Sequence, residues 1–135
     1  MTQQSHRALA IKPADTVVFT SMSKKYFYMR LFVTKFALEQ GAVPINPFAS
    51  FDYFLLDAVE RDTVRRANNT LVARADELWV FGDIADGVRV EIIQAWQQHK
   101  TVRFFVFRDD KHIYEVTIDD LVYEDGVEPL IHIGE

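Results

Sequence analysis

Glu91 stands in the pattern Gly87-x3-Glu91-x3-Ala95, just after a break at Gly82, Asp83, Asp86 and Gly87. A carboxylate about one turn inside a helix can face the ligand that the preceding loop holds. The positive end of the helix dipole favours its ionised form. An ionised carboxylate so placed can attack the anomeric carbon of a sugar and carry it as a covalent glycosyl intermediate. The dipole equally favours an acidic residue in a first helical turn with no chemistry attached. Asp83 and Asp86 lie in the adjoining loop, where either could contact a ribose hydroxyl or protonate a leaving base. Paired carboxylates in unlike surroundings divide such roles. Asp beside Gly is also ordinary turn and cap chemistry, and Asp86, directly before Gly87, is expected to cap its helix.

A second group of polar residues precedes another helical stretch. Ser21, Ser23, Lys24 and Lys25 offer hydroxyls, a helix N-terminus and two cations, the ingredients of an anion cradle. The same composition serves as a plain N-cap. No Gly-rich Walker sequence is present, and Gly82-x4-Gly87 lacks the GxGxxG spacing, which excludes a dehydrogenase with the dinucleotide fingerprint. Arg61, beside Glu60, could hold a phosphate or brace the preceding connection through Asp57. Arg65 and Arg66 read as solvated helix surface. His6, His99, His112 and His132 share no ligand spacing, so no metal site and no cofactor are expected. Trp79 and Trp96 sit on apolar faces and are expected in the core.

The elements that must position these groups follow from periodicity. Residues 16–20 form a short β-branched strand, 21–25 a polar loop, and a helix follows until Gly41 stops it. That helix carries two apolar stripes, Phe27/Leu31/Thr34/Leu38 and Tyr28/Phe32/Phe36, although a helix covering a sheet needs only one. Wide burial or contact with another subunit would account for the second. Residues 42–45 form a second strand, and 48–58 an aromatic and Asp-rich connection of a length that tends to be functional. A helix runs over 60–74 with Val64, Ala67, Leu71, Val72 and Ala75 inward. The apolar run 77–81 is the third strand, 88–99 the third helix, and 101–107 a strand covered on both faces. After residue 110 the pattern weakens to a hairpin or edge strand at 112–118, a helical turn at 119–124 and a short strand at 129–133.

The order βαβαβαβ predicts an α/β fold, a mostly parallel sheet between helices. The expected arrangement is a flavodoxin-like or Rossmann-like three-layer sandwich of strand order 2-1-3-4 with an extra edge strand. In such a sheet the loops after strands one and three diverge and leave a crevice, which the connection ending at Asp57 could close as a flap. Residues 1–15 are expected to be a flexible tail and 16–135 a single domain.

Composition narrows the function. With 135 residues, about half of them apolar, the chain can build a core without staples. It has no cysteine, which removes disulfides, thiolate metal sites and thiol nucleophiles. A net charge of −5 with scattered cations argues against a nucleic-acid polymer as partner. No apolar stretch approaches the roughly 20 residues of a membrane span, and no secretory signal is apparent, so a cytoplasmic location is expected.

The motifs together resemble the nucleoside 2-deoxyribosyltransferase-like superfamily, especially its small bacterial and phage members. The resemblance covers residues 16–107. It rests on Pro44-Ile-Asn-Pro47, Glu60-Arg61, the run Ala75-Asp-Glu-Leu-Trp-Val-Phe-Gly82, and Gly87-x3-Glu91-x3-Ala95. It implies Glu91 as nucleophile on C1 of the sugar, with Asp86 or Asp83 as acid or ribose contact. Ser21, Ser23, Gly82, Gly87, Asp57 and Arg61 would bind a nucleoside or nucleoside 5′-monophosphate, and the protein would form a homodimer or larger homo-oligomer. The chain departs from that pattern at Ser21-Met22 (Gly-Pro or a similar small pair in the enzymes), Phe48 (often His), Ala85 (Asp or Ser) and Val88 (Thr or Met). These departures bear on the acid and the ribose contacts more than on the fold. They also motivate the alternative of a non-catalytic nucleotide-binding or protein-interaction module. A third expectation is a purely structural subunit whose crevice is filled by Phe48, Phe51 and Tyr53.

Overall fold

The computed structural model describes residues 6–13, 15–51, 58–109 and 112–130. Runs rich in β-branched and aromatic residues form β1 (Val17–Met22), β2 (Val43–Ile45), β3 (Glu77–Phe81), β4 (Thr101–Arg108) and β5 (His112–Val116). They build one five-stranded sheet in the order β2-β1-β3-β4-β5. The first four strands in that order run parallel, and β5 returns antiparallel to β4 at the edge. The protein is therefore α/β with a mixed, mostly parallel sheet.

Side chains alternate across a strand, and here each face has its own core. Val18, Trp79, Phe81 and Phe105 pack with Val33, Phe36 and Ala37 of α2 (Arg30–Glu39). Phe19, Leu78, Val80 and Phe104 pack on the opposite face with Val72, Val88, Ile92 and Ala95. These last four come from α4 (Arg61–Arg74) and α5 (Asp86–Gln97). Two further α-helices, α1 (Arg7–Ala10) and α3 (Pro47–Ser50), are one turn long. The expected tail thus holds one helical turn, none of whose residues is buried.

The first long helix differs from expectation. A 3-10 helix, Lys24–Met29, precedes α2, and Ser23 caps it through a bond from Lys25 N. The tighter winding rotates the following register relative to one continuous α-helix. Met29, Val33 and Ala37 consequently face inward, whereas Tyr28, Leu31, Phe32 and Leu38, drawn from both expected stripes, are exposed. Beyond β5, a 3-10 turn at Ile118–Asp120 replaces the expected turn at 119–124. Of the expected last strand, Pro129 and Leu130 have no regular structure, and residues 131–133 lie outside the described residues. Among the described residues no helix is long and apolar enough to cross a membrane.

Candidate functional site

A cleft of about 850 Å³ opens beyond the carboxyl ends of β1 and β3. In this strand order the chain leaves β1 toward α2 on one face and leaves β3 toward α5 on the other. The two loops therefore part at the switch point. Ser23 forms the β1 side of the lining, Pro47 and Phe48 the β2 side, and Gly87 and Val88 the start of α5. The flank is α4, through Arg61, Val64, Arg65 and Asn68.

Glu91 is a wall of this cleft. One carboxylate oxygen accepts from Ser21 Oγ at 2.5 Å and the other from Asn68 Nδ2 at 2.6 Å. Both donors are neutral. Burial pushes the Glu91 carboxyl above its ordinary value of 4.5, and the bonds from Ser21 and Asn68 pull it back only in part. Desolvation thus opposes the helix dipole, while the bonds from Ser21 and Asn68 favour the charged form. Ser21 belongs to β1 rather than to a loop, and it is fully buried. It shares a sheet face with Phe19 two residues earlier, and so reaches α5 and Glu91.

Asn68 escaped the sequence reading, yet a signal was there. Val64, Asn68 and Val72 fall at four-residue steps and occupy one side of α4. Val64 and Val72 are buried, so the polar residue between them faces inward too. An amide on an apolar stripe must find a partner, and Glu91 supplies it. The neighbouring pair, Gln94 Nε2 to Asn69 Oδ1 at 3.0 Å, ties α5 to α4 a turn further on.

The other expected site residues divide. Ser23, Gly87 and Arg61 line the cleft. Asp83 does not; it borders a separate hollow of about 340 Å³ with Tyr26 and Gly82. There Asp83 binds Lys25 Nζ at 2.7 Å and its backbone N–H donates to the Tyr26 hydroxyl at 3.0 Å. That carboxylate holds the Lys25 ammonium above its ordinary value, and burial raises the Tyr26 phenol. Gly82 adopts φ +82°, and a Cβ there would overlap the Tyr26 ring. Its role is to let the ring cross the end of β3. Asp86 is exposed and is the first residue of α5; Ala85 is the N-cap and no side chain caps the helix. The capping role expected for Asp86 is therefore corrected: the helix begins one residue too early for its carboxylate to reach back over the free N–H groups. Asp57 and Tyr53 lie outside the described residues, as does most of the expected flap. Phe48 and Phe51 line the cleft without filling it.

Charge is distributed unevenly. Lys24, Lys25, Arg61 and Arg65 line the cleft against Glu91 and Glu124, although the whole chain is acidic. Arg65 pairs with Asp62 at 2.8 Å. Among the described residues no cluster of three or more His, Asp or Glu could hold a metal ion.

Residues 20–105 match the model of a family described as a domain of unknown function, DUF7768, and the chain belongs to that family. The matched span runs from β1 to β4 and contains Ser21, Asn68 and Glu91 together. No curated protein matches the chain.

Proposed function

We propose that the cleft binds a nucleoside or nucleoside 5′-monophosphate and that Glu91 cleaves its N-glycosidic bond, making the protein an N-glycosidase or 2-deoxyribosyltransferase. The observation that carries this reading is the Glu91 carboxylate in the wall of the switch-point cleft, held by two neutral donors with no cation bonded to it among the described residues. The sheet order, read as flavodoxin-like, and the resemblance of Gly87-x3-Glu91-x3-Ala95 to the deoxyribosyltransferase motif support it.

In the first step a Glu91 oxygen bonds to the anomeric carbon as the bond from that carbon to the base nitrogen breaks. The base leaves with that electron pair and takes a proton from water, and the nucleophile of the second step returns one to solvent. In the second step water or another base attacks the same carbon and frees Glu91. Ser21 and Asn68 fix the attacking oxygens, so little reorganisation is needed. Lys24 and Arg61 line the cleft and would neutralise a 5′-phosphate. We assign the leaving group's proton to neither Asp83 nor Asp86, since both lie off the cleft lining. Incubation with a panel of nucleosides and nucleoside monophosphates should release free base, and Glu91→Ala should stop that release in a folded protein. Undiminished release by the variant refutes the mechanism.

The desolvation of Glu91 and the placing of Asp83 and Asp86 off the cleft lining favour a second reading, a module that binds the same ligands without turnover. Calorimetric binding with no base released distinguishes it. The exposed row Tyr28, Leu31, Phe32 and Leu38 supports a homodimer or larger homo-oligomer through the outer face of α2.

A further inference from the structure

Glu124 lies beyond the span that the family model covers, yet it lines the same cleft as Glu91. Its backbone is held there by strand-like pairing. Ile84 N donates to Val122 O at 2.9 Å, Glu124 N donates to Ile84 O at 3.0 Å, and Ile84 bridges Tyr123 in parallel. Ile84 is fully buried in the loop between β3 and α5. The segment after β5 is thereby stitched to the loop that launches the Glu91 helix, and the position of Glu124 is fixed by the core.

One oxygen of this side chain has a distant ion-pair partner but no hydrogen-bond donor among the described residues. Glu124 Oε2 is buried and has no hydrogen-bond partner among the described residues. The nearby ammonium, Lys25 Nζ, stands 3.8 Å away, beyond hydrogen-bond reach, and is bonded to Asp83 at 2.7 Å. Leaving a buried acceptor without a donor costs more than a made bond returns. Such orphans in a folded protein call for a partner. Gln94 Oε1, on the same lining, is a second buried acceptor with no donor among the described residues. A bare carboxyl oxygen is an acceptor, so the group that completes it must carry O–H or N–H.

We propose that Glu124 is a specificity-determining residue whose carboxylate, part-exposed on the cleft wall, accepts a hydrogen bond from a donor on the bound ligand, either a sugar hydroxyl or the exocyclic amine of a base. This rests on the reading that the cleft takes a nucleoside-type ligand, and it adds which ligands bind best. A site built to receive a donor rejects the analogue that lacks it far more strongly than an apolar pocket rejects a missing methylene.

Calorimetry on the full chain decides the matter. The ligands are adenosine 5′-monophosphate, its 2′-deoxy and 3′-deoxy forms, and purine riboside 5′-monophosphate, which lacks the amine. Wild type should bind one of the analogues at least about tenfold more weakly than the parent. Glu124→Leu should weaken the parent by a similar factor and leave that analogue unchanged, so the missing group names the donor. Glu124→Gln, which keeps an acceptor oxygen and the side-chain shape, should recover part of the loss. Equal weakening of every ligand by Glu124→Leu indicates a structural role and overturns the inference, as does no weakening at all. If wild type binds all four but Glu124→Leu and Glu124→Gln match it, only the role of Glu124 falls. If wild type binds none of them, the nucleotide reading falls and takes this inference with it.

Discussion

Replacing Glu91 by Gln removes a buried ionisable group while keeping its shape, and the structure dictates how stability must respond to pH. The amide can be satisfied in place: its oxygen accepts from Asn68 Nδ2, and its –NH2 donates to Ser21 Oγ, a hydroxyl able to accept as well as donate. Wild type is different. Below the ordinary glutamate value of 4.5, folded and unfolded chains both carry the proton. As pH rises past that value the unfolded chain releases it, whereas burial makes the folded chain retain it. The folded state then binds more protons than the unfolded, so its stability falls with rising pH until the folded carboxyl itself ionises. Through that window wild type should lose up to about 1.4 kcal/mol per pH unit relative to Glu91→Gln. For a chain of this size each kcal/mol corresponds to roughly 3–5 °C in Tm. Urea unfolding of both proteins between pH 4 and 8, followed by fluorescence of Trp79 and Trp96, measures the difference directly. The two curves should run closest at the acid end and separate upward, with the Gln variant more stable. A constant gap across pH, or a gap that closes as pH rises, refutes the claim that desolvation governs Glu91.

Four further outcomes rest on the same geometry. Asn68→Ala removes one of the two donors that lower the Glu91 pKa. The rising limb of base release against pH should therefore move upward, with a loss of about 1–2 kcal/mol in stability; an unmoved pH profile dissociates Asn68 from Glu91 chemistry. Gly82→Ala meets both a left-handed backbone and the Tyr26 ring, so denaturant midpoints should report a loss of about 2 kcal/mol or more. Gly87→Ala, which has open space around it, should cost less than half of that. Leu31→Lys combined with Leu38→Lys should reduce the light-scattering mass to that of one chain without lowering Tm, and a wild-type mass already that of one chain removes the oligomer proposal.

How far the sequence alone reaches can be judged element by element. The apolar run 77–81 became β3 at those boundaries, because five residues bracketed by Asp76 and Gly82 leave a buried strand little room to slide. Alternating strands and helices with right-handed crossovers left few topologies, and the order chosen among them, β2-β1-β3-β4, is the one observed. Glu91 was legible because helical periodicity set its distance from the loop. Local pattern misjudged α2, whose inward face depends on the 3-10 turn that precedes it, a choice made by packing against the sheet. Asp83 and Glu91 show the limit most clearly. Both are carboxylates near one loop, and nothing in their spacing separates them. Only the tertiary structure gave Asp83 to Lys25 in a neighbouring hollow and Glu91 to Ser21 and Asn68 in the cleft. Those partners lie 58, 70 and 23 residues away in the chain. Periodicity fixes which side of its own element a residue occupies. Which distant residue it meets there, and whether water reaches the pair, is decided when the elements pack.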